Sequence, residues 1–379
     1  MPKILFSDNS LWGLLNFRGY IIQYFLSKGY DVVLVAPMDQ EGSQMTIPCG
    51  VKYVPITMCR AGTNPIEDIQ YYFRIRKIYK QERPDYIFHY TIKPNIYGTI
   101  AAKSLRIPTT VMIAGLGYAF TENTISSYIA RLMYKFALRY TQYAFVLNKS
   151  NYDVLIRENI ISPSKLIWLK GGEGVDLDKF AYADMPKNSK PRFLMMSRLL
   201  YDKGYTEFVC AAASLKSKAT FVVMGAIDPR PTAVPLDVIQ ADSASNIIEY
   251  IAFTPDVQMQ IKQSDCIVLP SYYGEGLSRV LMEACAMGRP IICSNISGCK
   301  ETVDDSINGF LCQPRDVDSL INCCQKFMSL SPEQREQMGY ASRQKAEKEF
   351  DEKIVIRQYD HLIASLLQHA NEDTVHMQE

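Results

Sequence analysis

Two acids eight positions apart, Glu275 and Glu283, and two cations in an earlier segment, Arg198 and Lys203, are the residues whose types and spacing could do chemistry. Glu275 sits in "SYYGEGLSRVLMEACAMG" between Gly274 and Gly276, glycines that free a loop backbone ahead of a predicted helix. The amides of Leu277, Ser278 and Arg279 would open that helix, and N–H groups at a helix start form an anion site. Arg198 follows a predicted strand, and Lys203 precedes Gly204 and another predicted helix, so both supply cations to the same anion. A diphosphate suits this set, which leaves the carboxylates to take hydroxyls. Over a full helix, eight steps of about 1.5 Å would separate the two backbones by about 12 Å, near the span from ribose to hexose across a diphosphate. Glycosidase carboxyls flank one bond at about 5–9.5 Å, so the spacing counts against glycoside hydrolysis. Singly, each of these residues is an ordinary solvated side chain; the set carries the reading.

The elements that must position them follow one rhythm. Short apolar, β-rich runs ("KILFS", "DVVLVAP", "YIFHYT", "TTVMIAG", "YAFVLN", then "RFLMMS", "TFVVMG", "CIVLPS", "PIICSN") alternate with amphipathic stretches of helical length. That alternation predicts parallel sheets covered on both faces. It runs down and restarts across the polar stretch "GGEGVDLDKFAYADMPKNSKPRF", which reads as an interdomain connection. The expected fold is therefore α/β, two Rossmann-like doubly wound domains facing a cleft, one over 1–172 and one over 173–352. A terminal helix over about 353–370 is expected to lie back on the first domain, ahead of a polar tail.

Charge separates the halves. Residues 1–190 hold 23 Lys and Arg against 15 Asp and Glu, and the remainder holds 18 against 25, so a net of +1 conceals +8 and −7. The overall balance argues against a dedicated nucleic-acid binder. Ten cysteines lie mostly in apolar runs, without C-x-x-C or histidines at zinc spacing, and are expected to be buried and reduced. No signal-peptide pattern and no apolar run of about 18–20 residues is present, so a cytoplasmic location is expected.

Taken together, "SRLLYDKG", "VVMGAID", "DCIVLPSYYGEGLSRVLMEACAMGRPIICSNISGCKETVDDSINGFL" and "GVDLDKF" resemble the family-4 retaining glycosyltransferases of GT-B fold. The resemblance implies that Arg198 and Lys203 bind a donor diphosphate, with Gly276, Leu277, Ser278 and Arg279 at the loop and helix start. It implies that Glu283 takes the ribose hydroxyls and Glu275 the donor sugar hydroxyls, and that the base packs near Ile251. It implies a nucleotide-sugar co-substrate, expected to be a UDP-sugar, and no metal.

In the first half, "HYTIKPNIYGTIAAKSLRIPTTVMIAGLGYAF" and "NFRG" are similar to members of that family that assemble bacterial surface polysaccharide or lipid-linked oligosaccharide. The likeness implies that Asn16, Arg18, Thr91, Asn95, Gly115 and Gly117 lie at the acceptor, with Lys93 beside the chemistry; the plainer reading of Thr-Ile-Lys-Pro-Asn is a turn with an exposed Lys. Relatives often carry a histidine where Ile92 stands here; His89, three residues earlier, is the candidate substitute, against the plainer reading of a packed strand histidine. Two basic aromatic stretches, "IQYYFRIRKIYKQER" and "SSYIARLMYKFALRYTQYAF", carry Arg74, Arg76, Lys77 and Lys80, and Arg131, Lys135 and Arg139 at i, i+4, i+8. Such faces could rest on an anionic membrane beside a polyprenyl-diphosphate-linked acceptor, or could simply be solvated.

The reading is a hexosyl- or N-acetylhexosaminyltransferase, peripheral on the inner face of the plasma membrane. Two alternatives stay open: a nucleotide-sugar 2-epimerase of the same architecture, and a non-catalytic nucleotide-sugar-binding subunit. A dinucleotide oxidoreductase is excluded because "FSDNSLWGLLNFRG" stands where G-x-G-x-x-G would follow the first strand.

Overall fold

A computed structural model describes residues 1–59, 64–116, 120, 124–228, 230, 232–254 and 256–376, with only the backbone for 126 and 367–376. The chain divides into two compact units, Met1–Glu173 with the segment from Val355 onward, and Gly174–Ile354.

The first unit holds a seven-stranded sheet in the order β3-β2-β1-β4-β5-β6-β7. Its strands are β1 (Lys3–Ser7), β2 (Asp31–Ala36), β3 (Val51–Pro55), β4 (Tyr86–Tyr90), β5 (Thr109–Ile113), β6 (Tyr143–Val146) and β7 (Leu166–Trp168). Every pairing is parallel, with Ser7 opposite His89 and Leu5 opposite Ile87. β4 and β5 are buried at all positions, which is why their sequences run apolar without alternation. The chain leaves β1 for β2 on one side and returns to β4 on the other, so the switch point lies between the ends of β1 and β4. Ligands in such sheets collect outside the strand C-termini at that reversal.

The second unit repeats the logic with six strands in the order β10-β9-β8-β11-β12-β13. These are β8 (Arg192–Met196), β9 (Thr220–Gly225), β10 (Glu249–Ala252), β11 (Cys266–Leu269), β12 (Ile291–Ser294) and β13 (Gly309–Cys312), again all parallel. Its switch point falls between β8 and β11, the strands that precede Arg198 and Glu275.

The helix Glu352–His376, longer than expected, belongs mostly to the first unit. Its Tyr359 ring lies 5.0 Å from the rings of Phe88 and Phe145, and its hydroxyl is 3.1 Å from that of Tyr90. All ten cysteines are free; seven are buried, but Cys49, Cys59 and Cys210 are exposed, contrary to the expectation for the set. Arg289 is fully buried and donates to the carbonyls of Ala183, Asp184, Ile261, Lys262, Met287 and Gly288, tying the connection to two helix ends.

Candidate functional site

In the second unit, three loops from the C-terminal ends of β8, β11 and β12 close on one another. The tight turn Tyr201–Lys203 ends at Gly204, whose φ of +84° suits glycine; a Cβ there would fall 2.2 Å from the Pro270 carbonyl oxygen. The amides of Tyr272 and Tyr273 donate to the Asp202 carbonyl at 2.9 and 3.0 Å, docking the β11 loop onto that turn. Gly298, at φ +90°, packs against the backbone of Glu275 and accepts a 2.7 Å hydrogen bond from the Ser278 amide.

This arrangement joins two sequence candidates directly. Lys203, 7 % exposed, donates through Nζ to the Glu275 carboxylate and sits 4.7 Å from the Tyr273 ring centroid. Glu283 lies in the helix Arg279–Ala286, 9 % exposed, and accepts from Arg279 Nε at 2.9 Å. Burial raises its pKa; Arg279 and Lys179 oppose that rise. Arg198, half exposed, pairs with Asp228 at 3.2 Å, and Arg230 grips the same carboxylate with two hydrogen bonds. Ile251 is half-buried on β10.

Two expectations change. The helix starts at Arg279 and not at Glu275, so the 12 Å span estimated for a continuous helix does not apply. The Ser278 amide is bound to Gly298, so it is not an anion donor. Gly274 has open space around it and no positive φ; its missing side chain serves nothing in the fold itself.

In the first unit, a cavity of about 200 Å³ opens at the switch point, lined by Asp8 from the end of β1, Tyr90 and Thr91 from the end of β4, Trp12 and Arg18 from the helix Leu11–Ser27, and Glu173. Ser10 caps that helix by accepting from the Gly13 amide at 2.8 Å, which fixes Trp12 and Arg18 relative to β1. Arg18, 4 % exposed, donates to Glu173 at 2.6 Å and stands 4.5 Å over the Tyr90 ring. Burial opposes its charge, but Glu173 holds it more firmly protonated than usual. Asp8, 5 % exposed, is pushed up to about 6 by burial, against the pull of Arg18.

Of the first-unit candidates, Arg18 and Thr91 line this cavity, and Thr91 holds a left-handed φ of +65°. Asn16 is half-buried on the same helix, and Gly115 is exposed beyond β5. Gly117 lies outside the described residues.

Three candidates point elsewhere. Asn95 is fully buried and donates to the Met112 carbonyl at 2.8 Å, a structural bond and not an acceptor contact. Lys93 is buried against Asp68 at 2.6 Å, whose other oxygen accepts from Tyr97 at 2.8 Å. His89 is fully buried in β4, 3.4 Å from the Tyr79 hydroxyl, and burial lowers its pKa to about 3. A neutral imidazole without solvent access cannot exchange protons with a substrate, so the packed reading replaces the catalytic one. Ile92 is exposed. Asp8, Glu173 and Tyr90 were missed; the available signal was an acid immediately after the first strand, in "FSDNS", at a predicted sheet reversal.

Comparison with known proteins agrees across the chain. Residues 183–345 match the family described as glycosyl transferases group 1, and residues 3–148 match glycosyl transferase 4-like. The N,N'-diacetylbacillosaminyl-diphospho-undecaprenol alpha-1,3-N-acetylgalactosaminyltransferase of Campylobacter jejuni is 26% identical over 94% of this chain and 97% of its own length. The UDP-Gal:alpha-D-GlcNAc-diphosphoundecaprenol alpha-1,3-galactosyltransferase of Escherichia coli is 30% identical over 71% of this chain and 72% of its own. Among solved structures, a glycosyltransferase from Rickettsia africae superposes with TM-score 0.79 at 18% identity, covering 97% of this chain and 99% of that one. HepE of Anabaena in complex with UDP-glucose gives 0.78 at 16%, covering 96% and 100%.

Proposed function

The chain belongs to the group 1 glycosyl transferases, a family-4 glycosyltransferase of GT-B fold, and on that premise we propose that it moves a hexose or N-acetylhexosamine from a UDP-sugar to a saccharide on a polyprenyl diphosphate, with retention. The observation that carries the reading is the Lys203–Glu275 pair at the β8/β11 switch point. A diphosphate bound there draws the ammonium toward itself and turns the Glu275 oxygens to sugar hydroxyls, so each partner gains a role on binding. Arg198, on the next bend of the same segment, adds charge. In this reading cations and amides meet the leaving-group charge, with no metal ion, and the diphosphate itself helps deprotonate the incoming hydroxyl.

The acceptor reading rests on the relatives named above and on one surface of the first unit. The helix Ile125–Leu138 exposes Ile125, Tyr128, Ile129, Leu132 and Phe136, an apolar stripe beside Arg131 and Lys135, with Arg139 at its C-cap. The helix Pro65–Glu82 exposes Ile66, Ile69 and Phe73 and carries Arg74, Arg76, Lys77 and Lys80. Tyr97 connects the two, donating to Asp68 and lying 4.0 Å from Met133 Sδ. Apolar rings flanked by cations suit the headgroup region of an anionic membrane. Among the described residues no helix is long and apolar enough to cross a bilayer, so the proposed attachment is peripheral, on the cytoplasmic face.

The test is incubation with a panel of UDP-sugars, with and without undecaprenyl-diphosphate-linked monosaccharides in anionic vesicles. Transfer only in the acceptor's presence, giving an α-linkage from an α-donor, is the expected result. Conversion of donor alone would identify an epimerase instead, and an inverted product would overturn retention.

A further inference from the structure

We propose that Asp228 is a positioning residue of the donor site: it holds Arg198 between turnovers, competes with the diphosphate for that guanidinium, and recaptures it as the nucleotide leaves. The inference rests on the diphosphate reading of Arg198 and Lys203 above and adds the residues that set how tightly the leaving nucleotide is kept.

Main-chain bonds put the two residues side by side. The Ser197 amide donates to the Met224 carbonyl at 3.2 Å, Leu199 to Ala226 at 3.1 Å and Tyr201 to Thr232 at 3.0 Å, and Val234 donates back to Leu199 at 2.9 Å. The segment after β9 is thereby stitched to the segment after β8. Gly225 allows the approach, since a Cβ there would run into the Ser197 carbonyl oxygen. Asp228 therefore faces Arg198 whether or not the two side chains are bonded, and the pair is free to exchange without undoing the loops.

Arg230 decides which partner of Asp228 can leave. Oδ1 of Asp228 accepts from the Arg230 amide at 3.0 Å and from its Nε at 2.9 Å, and Oδ2 accepts from its Nη2 at 2.8 Å. A carboxylate offers about four acceptor sites, so Arg198 Nη1, at 3.2 Å from Oδ2, takes the last place and the longest bond. Exposure follows the same order: 9 % for the Asp228 side chain, 27 % for Arg230 and 48 % for Arg198. Arg198 can turn to a diphosphate without stranding a charge, because Arg230 still satisfies the carboxylate. With its acceptor sites filled, Asp228 has none to offer a sugar hydroxyl or a base. Its effect on the donor is exerted through Arg198.

A ligand that must take Arg198 from Asp228 binds with the difference between two interactions. The two neighbours of Arg198 therefore act with opposite sign. Removing the Asp228 charge frees Arg198 for the diphosphate, whereas removing Arg230 makes Asp228 hold Arg198 harder.

The experiment uses the full chain, with UDP affinity measured by calorimetry and UDP release by stopped-flow chase of a fluorescent UDP analogue. Asp228→Asn should tighten UDP by about two- to five-fold, the worth of an exposed ion pair, through slower release. Arg230→Met should weaken UDP by a similar factor. A purely structural role would weaken binding in both. In an Arg198→Met background the effect of Asp228→Asn should shrink by about half or more, as coupled residues require. Unchanged or weaker UDP binding in Asp228→Asn, or an undiminished effect without Arg198, would overturn the inference and leave the transferase reading standing. Arg230→Met should have little effect once Asp228 is replaced; a full effect there would make Arg230 itself the phosphate ligand and also overturn it. If Asp228→Asn does not fold, Arg230→Met decides alone, and unchanged or tighter UDP binding refutes the competition. Absence of UDP binding to the unaltered protein would instead overturn the functional reading beneath it.

Discussion

Replacing His89 by Leu and, separately, Asp8 by Asn should change the pH dependence of the first unit's stability in opposite directions. His89 keeps a folded pKa of about 3 against an ordinary 6.5, so between those values the unfolded chain takes a proton that the folded one refuses. Its contribution is intact above pH 6.5 and is lost as pH falls. Asp8 is the reverse: its pKa rises from 3.8 to about 6, so the folded state holds the proton longer, and the stabilisation present at low pH is lost as pH climbs through 6. At about 1.4 kcal/mol per pKa unit, going from pH 7 to pH 5 should cost about 2 kcal/mol through His89 and return about 1 kcal/mol through Asp8. The wild type should therefore lose about 1 kcal/mol, His89→Leu should gain about as much, and Asp8→Asn should lose about 2 kcal/mol. Other groups titrate equally in all three proteins and cancel in the comparison. Urea denaturation followed by tryptophan fluorescence is the assay, because both tryptophans, Trp12 and Trp168, lie in the first unit and report its unfolding alone. Parallel pH dependence in the wild type and His89→Leu would refute the buried, neutral histidine and reopen it as a proton carrier.

Lys203→Met should weaken UDP binding by about 10- to 150-fold, the value of a charge-assisted hydrogen bond of about 1.5–3 kcal/mol, while uridine binding barely changes; calorimetry with both ligands checks this, and equal losses would contradict the phosphate assignment. The same substitution leaves Glu275 without its ammonium, so stability should drop by about 3 kcal/mol and recover mostly in the Lys203→Met, Glu275→Gln double variant, read by thermal melting. Gly98→Ala should destabilise the first unit by about 1–3 kcal/mol, since the new Cβ would meet the His89 ring at 2.6 Å; the His89→Leu background should change that cost measurably. Arg289→Lys should cost about 3–5 kcal/mol in the second unit despite the conserved charge, because one ammonium cannot reach six carbonyls spread over three segments.

The parallel sheets were legible because their buried strands are unbroken apolar runs separated by helix-length segments, a pattern few other architectures produce. The Lys203–Glu275 meeting was half legible: each residue stood out beside glycines, but their direct ion pair depends on the β11 loop bonding to the Asp202 carbonyl, which leaves no trace in residue type. Asn95 and His89 misled for one physical reason. Both sit close to residues that line a site, yet only Tyr90 and Thr91, where the chain turns out of β4 at Thr91's left-handed φ, reach the cavity; His89, one residue earlier, is packed in the core against Gly98, and Asn95, one turn later, is tied to the Met112 carbonyl. Arg289 was invisible, since nothing in "MGRPII" distinguishes a buried guanidinium from a surface one.

Tyr359 completes the first unit from far along the chain. During synthesis the rings of Phe88, Tyr90 and Phe145 wait without it while the more than 200 residues between Phe145 and Tyr359 are translated, about 10–40 s at ordinary elongation rates. The nascent first half thus leaves the ribosome with an aromatic notch open and invites chaperone capture or self-association, whereas the second half, contiguous in sequence, can close its core as soon as it emerges. A fragment ending at residue 173 should accordingly be sticky and poorly folded, and supplying the helix 352–376 in trans should rescue it.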